Sequence, residues 1–423
     1  MNERNKMIIK PDESESTLDY ADPCAFTSNL IKLTAIMPET HLLFITPPVC
    51  AHKRAVDAVN LGIRKKVSYY IVNEADIISG NFNSILNKAV DKLMHVINPA
   101  PKAVMICQSC ADCLIRTDYE LDFENLEKRY NIPFRLVSMS TIDKDTRGSV
   151  DNKRSAYTFL SKSGNKVKGV NIVGSTSPID KGSEIYKLLE DKGYQIRHIS
   201  DCKTFEEFKT LSQSSCNLVI RPGGKKAAKW MEENLGIPWC YIPVSYSVEE
   251  IKKQYEKIEK SLGVELDILE YCNNAEKLIK EKVKLINEYD VSIESVAVCR
   301  PFDMALAFKE YGLTIKTIYA SATVYDSDIE RFEQVQKHIP DLEIKSFRDH
   351  DMYSAGGNTD KKNKIIGIGT RAGYYSQTNA VYPLYADETI FGFQGLLKVL
   401  DGMTEAVRIS EEGDECIGYG RVF

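Results

Sequence analysis

The chain has 423 residues, 43% hydrophobic and 27% charged, with a net charge of −5. That length calls for two or three domains rather than one core, the mild acidity leaves no basic footprint for nucleic acid, and no apolar run is long enough to cross a bilayer. The first sixteen residues are polar and lack the apolar centre of a secretory signal, so a cytoplasmic location is expected.

Short apolar runs alternate with amphipathic helical stretches, the pattern of parallel α/β units. In the first unit, strands are predicted at His41–Ile45, Val67–Val72, Ala103–Cys107 and Phe134–Ser138, with helices at Ser84–Val96 and Asn125–Tyr130. Cys24 lies in Ala21-Asp-Pro-Cys-Ala25, just before a helical stretch. Cys50 follows the first strand directly, in Thr46-Pro-Pro-Val-Cys-Ala-His52, and Cys110 follows another strand, in Cys107-Gln-Ser-Cys-Ala-Asp-Cys113. Residues just past the carboxyl ends of an open parallel sheet gather in one crevice, so Cys50 and Cys110 can meet although distant in sequence. Thiolates are the preferred ligands of iron–sulfur clusters.

The run Cys107-x2-Cys110-x2-Cys113 also has zinc-site spacing, but no second matching pair accompanies it, which argues against a self-contained zinc site. Cys107 is expected to end its strand facing the sheet packing and Cys113 to begin the next helix; either is a candidate accessory ligand. The 11 cysteines of a chain this large, in a reducing compartment, do not read as a disulfide framework. Cys202, Cys216, Cys240, Cys272 and Cys299 read as buried free thiols. His52 reads as a proton donor beside Cys50 or as a solvated helix residue.

A polar segment from Asp143 to Arg154 reads as a linker or crossing loop. The second unit has predicted strands at Val167–Val173, Gln195–Ile199, Asn217–Ile220 and Trp239–Ile242, and a helix Ser183–Lys192 that ends at Gly193. After the third of these strands comes Ile220-Arg-Pro-Gly-Gly-Lys225, which lacks the first glycine and the hydroxyl residue of a phosphate loop. Gly223 and Gly224 open a helix, so their amides are candidates to hold an anionic group; the alternative is that they only permit a tight turn. Ser247–Tyr289 reads as one or two helices bridging domains, with Ser247 and Glu250 as a capping box. The third unit has predicted strands at Ser295–Cys299, Ile315–Tyr319, Leu342–Lys345 and Lys364–Ile368, a polar loop Met352–Asn363, and a last helix Phe391–Met403.

The expected fold is α/β, with three Rossmann-like parallel-sheet subdomains around a central cleft, in domains 1–142, 143–290 and 291–423. Arg221, Arg300, Asp303, Arg371 and Tyr374, near strand ends, are the candidates to line that cleft. Arginine's planar fork suits carboxylate or phosphate, while salt bridges are the competing role for each.

These segments resemble the nitrogenase component 1 superfamily, which includes the nitrogenase molybdenum–iron protein subunits, their cofactor-scaffold relatives, the dark-operative protochlorophyllide and chlorophyllide reductases and the nickel-tetrapyrrole reductase of methanogens. The family's three cluster cysteines are matched by Pro23-Cys24-Ala25, Thr46-Pro-Pro-Val-Cys50 and Cys110-Ala-Asp-Cys-Leu-Ile-Arg-Thr-Asp118. Weaker matches are Asn73-Glu-Ala-Asp-Ile-Ile-Ser-Gly80, Cys216-Asn-Leu-Val219, Met231-Glu-Glu-Asn-Leu-Gly-Ile-Pro-Trp239 and Asp387-Glu-Thr-Ile-Phe-Gly-Phe393. The resemblance implies an iron–sulfur cluster on Cys24, Cys50 and Cys110. It also implies an ATP-hydrolysing iron-protein as electron donor, which fits a chain without a phosphate loop of its own.

Three cysteines leave a four-iron cluster one ligand short. The expectation is therefore a larger cluster shared across a homodimer or a heterodimer with a homologous subunit, or a [4Fe–4S] cluster with a ligand from the partner. Relatives that carry the large metal cofactor hold it with a second-domain cysteine and a C-terminal histidine; Arg221 and Phe391 stand there instead, and neither ligates metal. The resemblance thus implies a reductase of a small organic substrate rather than of dinitrogen. The alternatives are a scaffold that assembles or carries a metallocluster, and a small-molecule-binding α/β protein that has lost its metal.

Overall fold

The computed structural model describes residues 29–412 apart from 79–81, 116, 140–150, 321–325, 347–351 and 353–362. Cys24 and most of the predicted 143–154 and 352–363 loops lie outside the described residues. The chain divides into two compact units. The first takes in residues 29–178 and 194–241; the second takes in 179–193 and the chain from Ile242.

The first unit holds two four-stranded parallel sheets. In one, β1 (Thr40–Thr46), β2 (Val67–Ile71), β3 (Ala103–Gln108) and β4 (Phe134–Ser138) lie in the order β2-β1-β3-β4. Both faces are covered, which is why β1 reads as an unbroken apolar run rather than an alternation. Leu42, Phe44, Met105 and Cys107 pack on one face, and Leu43, Ile45, Val104 and Ile106 on the other. In the second sheet, β5 (Gly169–Val173), β6 (Gln195–Arg197), β7 (Cys216–Val219) and β8 (Trp239–Tyr241) repeat the winding, as β6-β5-β7-β8. Buried Asn171 and Asn217 bridge β5 and β7 at 2.8 Å, and Asn171 also donates to Leu211 O and accepts from Ser214 Oγ. A polar network so fully paired fixes the register without leaving an orphan group.

A lysine ammonium and a buried imidazole set the entry to the first sheet. Lys66 Nζ donates to the carbonyls of Thr34, Ala35 and Met37, at the end of the helix Asn29–Ile36, where a positive charge meets the unpaired carbonyls and the negative dipole end. Beside it His41, buried on β1, shares a 2.9 Å hydrogen bond with Ser68 Oγ. Burial first, and Lys66 second, lower the imidazole pKa from 6.5 to about 4. Because the folded value is depressed, the stability His41 contributes is present above pH 6.5 and is lost as pH falls through 4. Urea unfolding at pH 7.5 and pH 4.5 is expected to show a loss of about 3 kcal/mol from this group. In His41→Gln that part of the pH slope is expected to disappear; an unchanged slope would refute the assignment.

The second unit is built on one five-stranded parallel sheet of β9 (Asp290–Glu294), β10 (Thr314–Ala320), β11 (Glu343–Ser346), β12 (Ile365–Ile368) and β13 (Val381–Tyr382), in the order β11-β10-β9-β12-β13. The Ser247–Tyr289 region is two helices, Val248–Leu262 and Leu269–Ile286, the first ended by Gly263 in the left-handed region (φ +66°). Residues 179–193 add the helix Glu184–Glu190 to this unit.

Several expectations are corrected. The strand placed at Ser295–Cys299 is Asp290–Glu294; residues 295–299 are the turn after it, closed by Val298 N to Glu294 O at 3.1 Å. Polar Asp290, Ser292 and Glu294 disguise the strand, although Ser292 and Glu294 are buried. Ser247 starts its helix without a capping box: no side-chain cap bond forms, and its own N–H donates to Ser245 Oγ instead. The linker ends early, because Asp151 caps a helix Asn152–Tyr157 through Arg154 N. The last helix runs on to Glu411, and β13 is too short to leave a period-two signal. Among the described residues no helix is long and apolar enough to cross a membrane.

Candidate metal centre

In the first sheet the strand order reverses between β1 and β3, and ligands of open α/β sheets bind beyond the carboxyl ends at that point. Both described cysteines of the proposed trio stand there. After β1, Pro47 is extended (φ −59°, ψ 156°) and Pro48 is the first residue of the helix Pro48–Asn60, where proline's missing N–H is no loss. Cys50 is the third residue of that helix and is exposed. After β3, Cys110 begins the helix Cys110–Ile115 and is half-buried.

The Cys110 helix is pinned by a feature that sequence reading missed. Asp112, fully buried, accepts from Ser109 N (2.6 Å), Ser109 Oγ (2.5 Å) and Tyr119 OH (2.6 Å). Asp112 N in turn reaches Ser109 Oγ at 3.4 Å. This is a reciprocal capping box, legible in Ser109-x-x-Asp112. Burial raises the Asp112 carboxyl above its usual range, opposed by these hydrogen bonds. Asn73 and Asp76 form the same reciprocal pair ahead of the helix Glu74–Ile78.

Cys107 lies inside the sheet packing, 1% exposed, and burial pushes its thiol well up. Cys113 sits within the Cys110 helix rather than beginning one, and is half-buried. His52 is exposed on the Cys50 helix. Around the two strand ends Val49, Ile71, Ile78, Leu114 and Ile115 are 42–84% exposed, an apolar rim where a solvated surface would be polar.

Among the described residues no three His, Cys, Asp or Glu side chains are gathered tightly enough for a single ion. An iron–sulfur cluster asks for something else: thiolates on different irons, spread around a larger body. Two accessible thiols at neighbouring strand ends suit that donor chemistry. At the same end of β1, the buried Thr46 Oγ1 has no hydrogen-bond partner among the described residues.

The remaining candidates are placed differently. Gly224 serves a close approach: a Cβ there would lie 2.7 Å from Gly174 Cα, and Gly174 is itself left-handed (φ +108°). The loops after β5 and β7 thus touch at Gly224. The Lys153 ammonium beside Gly223 donates to Gly174 O, and Lys225 lies over the Tyr241 ring at 3.9 Å. Arg221 stands at the end of β7, before the turn Pro222–Gly224.

In the second unit Arg300 pairs with Asp303 at 3.1 Å, and Asp303 also holds Ser245 Oγ at 2.8 Å and Arg331 at 3.5 Å. Arg371, 1% exposed, is bound to Glu294, whose carboxylate takes Arg371 Nη1 at 3.3 Å and the Arg371 and Ala372 amides at 2.6 and 3.3 Å. Tyr374 packs edge-on against Tyr375, which leans on Tyr319.

Phe391 is buried against Tyr255, which stacks on Phe393 at 5.9 Å. Behind them Glu184 accepts from Tyr255 OH (2.7 Å), Phe393 N (2.6 Å) and Gln394 N (3.1 Å). Its carboxylate therefore fills the amino end of the last helix, Gly392–Glu411. No local sequence signal marks Glu184, because its partners lie 71, 209 and 210 residues on.

Strand orders that reverse beside the first strand of each sheet define a multi-sheet doubly wound α/β protein. The profile of the nitrogenase component 1 type oxidoreductases matches residues 46–408. The chain belongs to that family. The fold agrees: it is similar to nitrogenase Cp1 at pH 6.5, with a TM-score of 0.70 and 13% identity over 96% of this chain and 97% of that one. It is also similar to nitrogenase Cp1 at pH 5, with a TM-score of 0.57 and 14% identity over 94% and 93%. No curated protein sequence matched significantly.

Proposed function

We propose that the chain is the electron-accepting component of a nitrogenase-like reductase. In this reading Cys24, Cys50 and Cys110 hold an iron–sulfur cluster, an iron-protein ATPase supplies the electrons, and a small organic molecule is reduced. The observation that carries it is the placement of Cys50 and Cys110, accessible and at neighbouring strand ends, at the reversal point of the first sheet. A cluster there would take up and pass on single electrons. The exposed apolar rim around these cysteines supports a subunit contact at this edge, in a homodimer or with a homologous chain. Arg221, at the end of β7 before the turn Pro222–Gly224, is a candidate for substrate recognition. Glu184 and the aromatic rings around Phe391 argue against a large metal cofactor held near that residue.

Anaerobic reconstitution with ferrous iron and sulfide is expected to give broad visible absorption that bleaches with dithionite and a paramagnetic reduced state. Cys50→Ala and Cys110→Ala are each expected to abolish both. A wild-type chain that takes up no iron would sink the reading. The filled region around Phe391 is what favours the second reading, a scaffold that carries a cluster for another protein. Ready transfer of the cluster to an apo-ferredoxin, with no turnover when an electron source is supplied, would select it.

A further inference from the structure

We propose that the gap between the helix Pro48–Asn60 and the strand β2 is a binding site for a small amphipathic carboxylate, an apolar chain that ends in one negative charge. β2 is an outer strand of the first sheet, with β1 on one side and no strand on the other. On the helix, Ala55, Ala58 and Val59 are three and four residues apart and share a face. On β2, Val67 and Tyr69 are two apart and share a face. Two alanines opposite a valine and a tyrosine are too short to close the space. The Tyr69 ring does not fill it either, because it is stacked on Phe44 at 5.2 Å, 11° from parallel. What remains is an open cavity of about 390 Å³. That is within the range of small-ligand sites, which are mostly apolar with a few placed polar groups.

The charge of the lining selects the ligand. Arg64 and Lys65, both exposed, complete it, carried on the short turn Arg64–Lys66. Among the described residues neither cation has a hydrogen bond or an ion pair. The third cation of the turn, Lys66, is engaged with the carbonyls of Thr34, Ala35 and Met37. No acidic residue lines the cavity, and the one acidic residue of the helix, Asp57, is buried and paired with Arg54 at 3.2 Å. An apolar floor beside two uncompensated cations fits a molecule that is apolar along its length and anionic at one end. The guanidinium can take a carboxylate through two parallel N–H groups, and the tail would cover Val59, 58% exposed, from water. An uncharged chain of the same length would gain only the second of these. The site needs no metal, so it stands apart from the cluster reading.

The test is equilibrium dialysis of the full chain against radiolabelled octanoate, well below its micelle-forming concentration, with octanol and octyltrimethylammonium as competitors. Wild type is expected to bind octanoate saturably, with octanol competing only at about tenfold higher concentration and the cation not competing. Arg64→Ser with Lys65→Ser changes only exposed side chains, and is expected to weaken octanoate about tenfold while octanol binds as before. Ala55→Phe, which fills the space, is expected to abolish binding of both, with circular dichroism confirming that each variant folds. Octanol competing as well as octanoate, or a charge variant or a folded Ala55→Phe protein that binds octanoate like wild type, would overturn the proposal. So would the absence of saturable binding to wild type; if gel filtration then showed the charge variant losing self-association, the groove would belong to a contact with a second copy.

Discussion

Replacing Arg371 by methionine is expected to remove about 3–5 kcal/mol from the stability of the second unit, the range for breaking a buried pair on one side. Both partners are almost wholly buried, so Glu294 would be left in the interior beside an apolar chain. Burial already raises its carboxyl to about 6, against the pull of Arg371 and the two amides. A raised carboxyl gives stability that is present below the unfolded value of 4.5 and is lost as pH rises through 6, about 2 kcal/mol in all for the native protein. Without Arg371 the folded value climbs further, and the loss should continue through neutral pH. Arg371→Met with Glu294→Gln should recover much of the stability and abolish that slope. Denaturant unfolding of the four proteins at pH 5 and pH 8 measures this directly; additive single effects would show that the two side chains do not act as a pair.

The second large effect is expected at Glu184. Its carboxylate satisfies a buried phenol and two helix-terminal amides at once, so Glu184→Ala leaves two buried donors and one part-buried donor unpaired. At about 1–3 kcal/mol each, the loss should be at least about 3 kcal/mol, at or beyond the upper end of what single substitutions usually cost. Gly392→Ala should be comparable for a different reason. The residue has φ +72°, and a Cβ would lie 2.1 Å from Glu184 Oε1 and 2.8 Å from Tyr255 OH, so the carboxylate would be driven from its place. The readout can be local, because both tryptophans, Trp230 and Trp239, lie in the first unit. Circular dichroism should therefore show an early transition in these variants that tryptophan fluorescence does not. Coincident, unshifted transitions would refute the assigned role.

How far the sequence carried these conclusions depends on where each residue's partners lie. Strands covered on both faces, such as Ala103–Gln108, show as apolar runs. The double proline before Cys50 fixes a strand-to-helix turn by local sterics alone, and the position of Cys107 follows from strand alternation. Where a polar group is satisfied from afar, the signal inverts. Glu294 makes β9 look like a turn until Arg371, from beyond β12, is seen beneath it. Arg371 reads as a ligand-binding group for the same reason, since Glu294 is 77 residues away, whereas the carboxylate that occupies Arg300, Asp303, lies only three residues on. Asp112 was legible and Glu184 was not, although both are buried carboxylates closing a helix, because only Asp112 closes its own.

The path of the chain has a consequence for synthesis. Residues 179–193 leave the first unit after β5 and return for β6, yet Glu184 closes on Phe393, 209 positions later. At about 5–20 residues per second that interval is about 10–40 s on the ribosome. Throughout it the first unit has all its strands once Tyr241 has emerged, while Ile185, Leu188 and Leu189, buried in the finished protein, have no core to enter. A nascent chain stalled before the last helix would thus carry a finished domain with one hydrophobic loop hanging from it, a natural place for a chaperone to hold or a protease to cut.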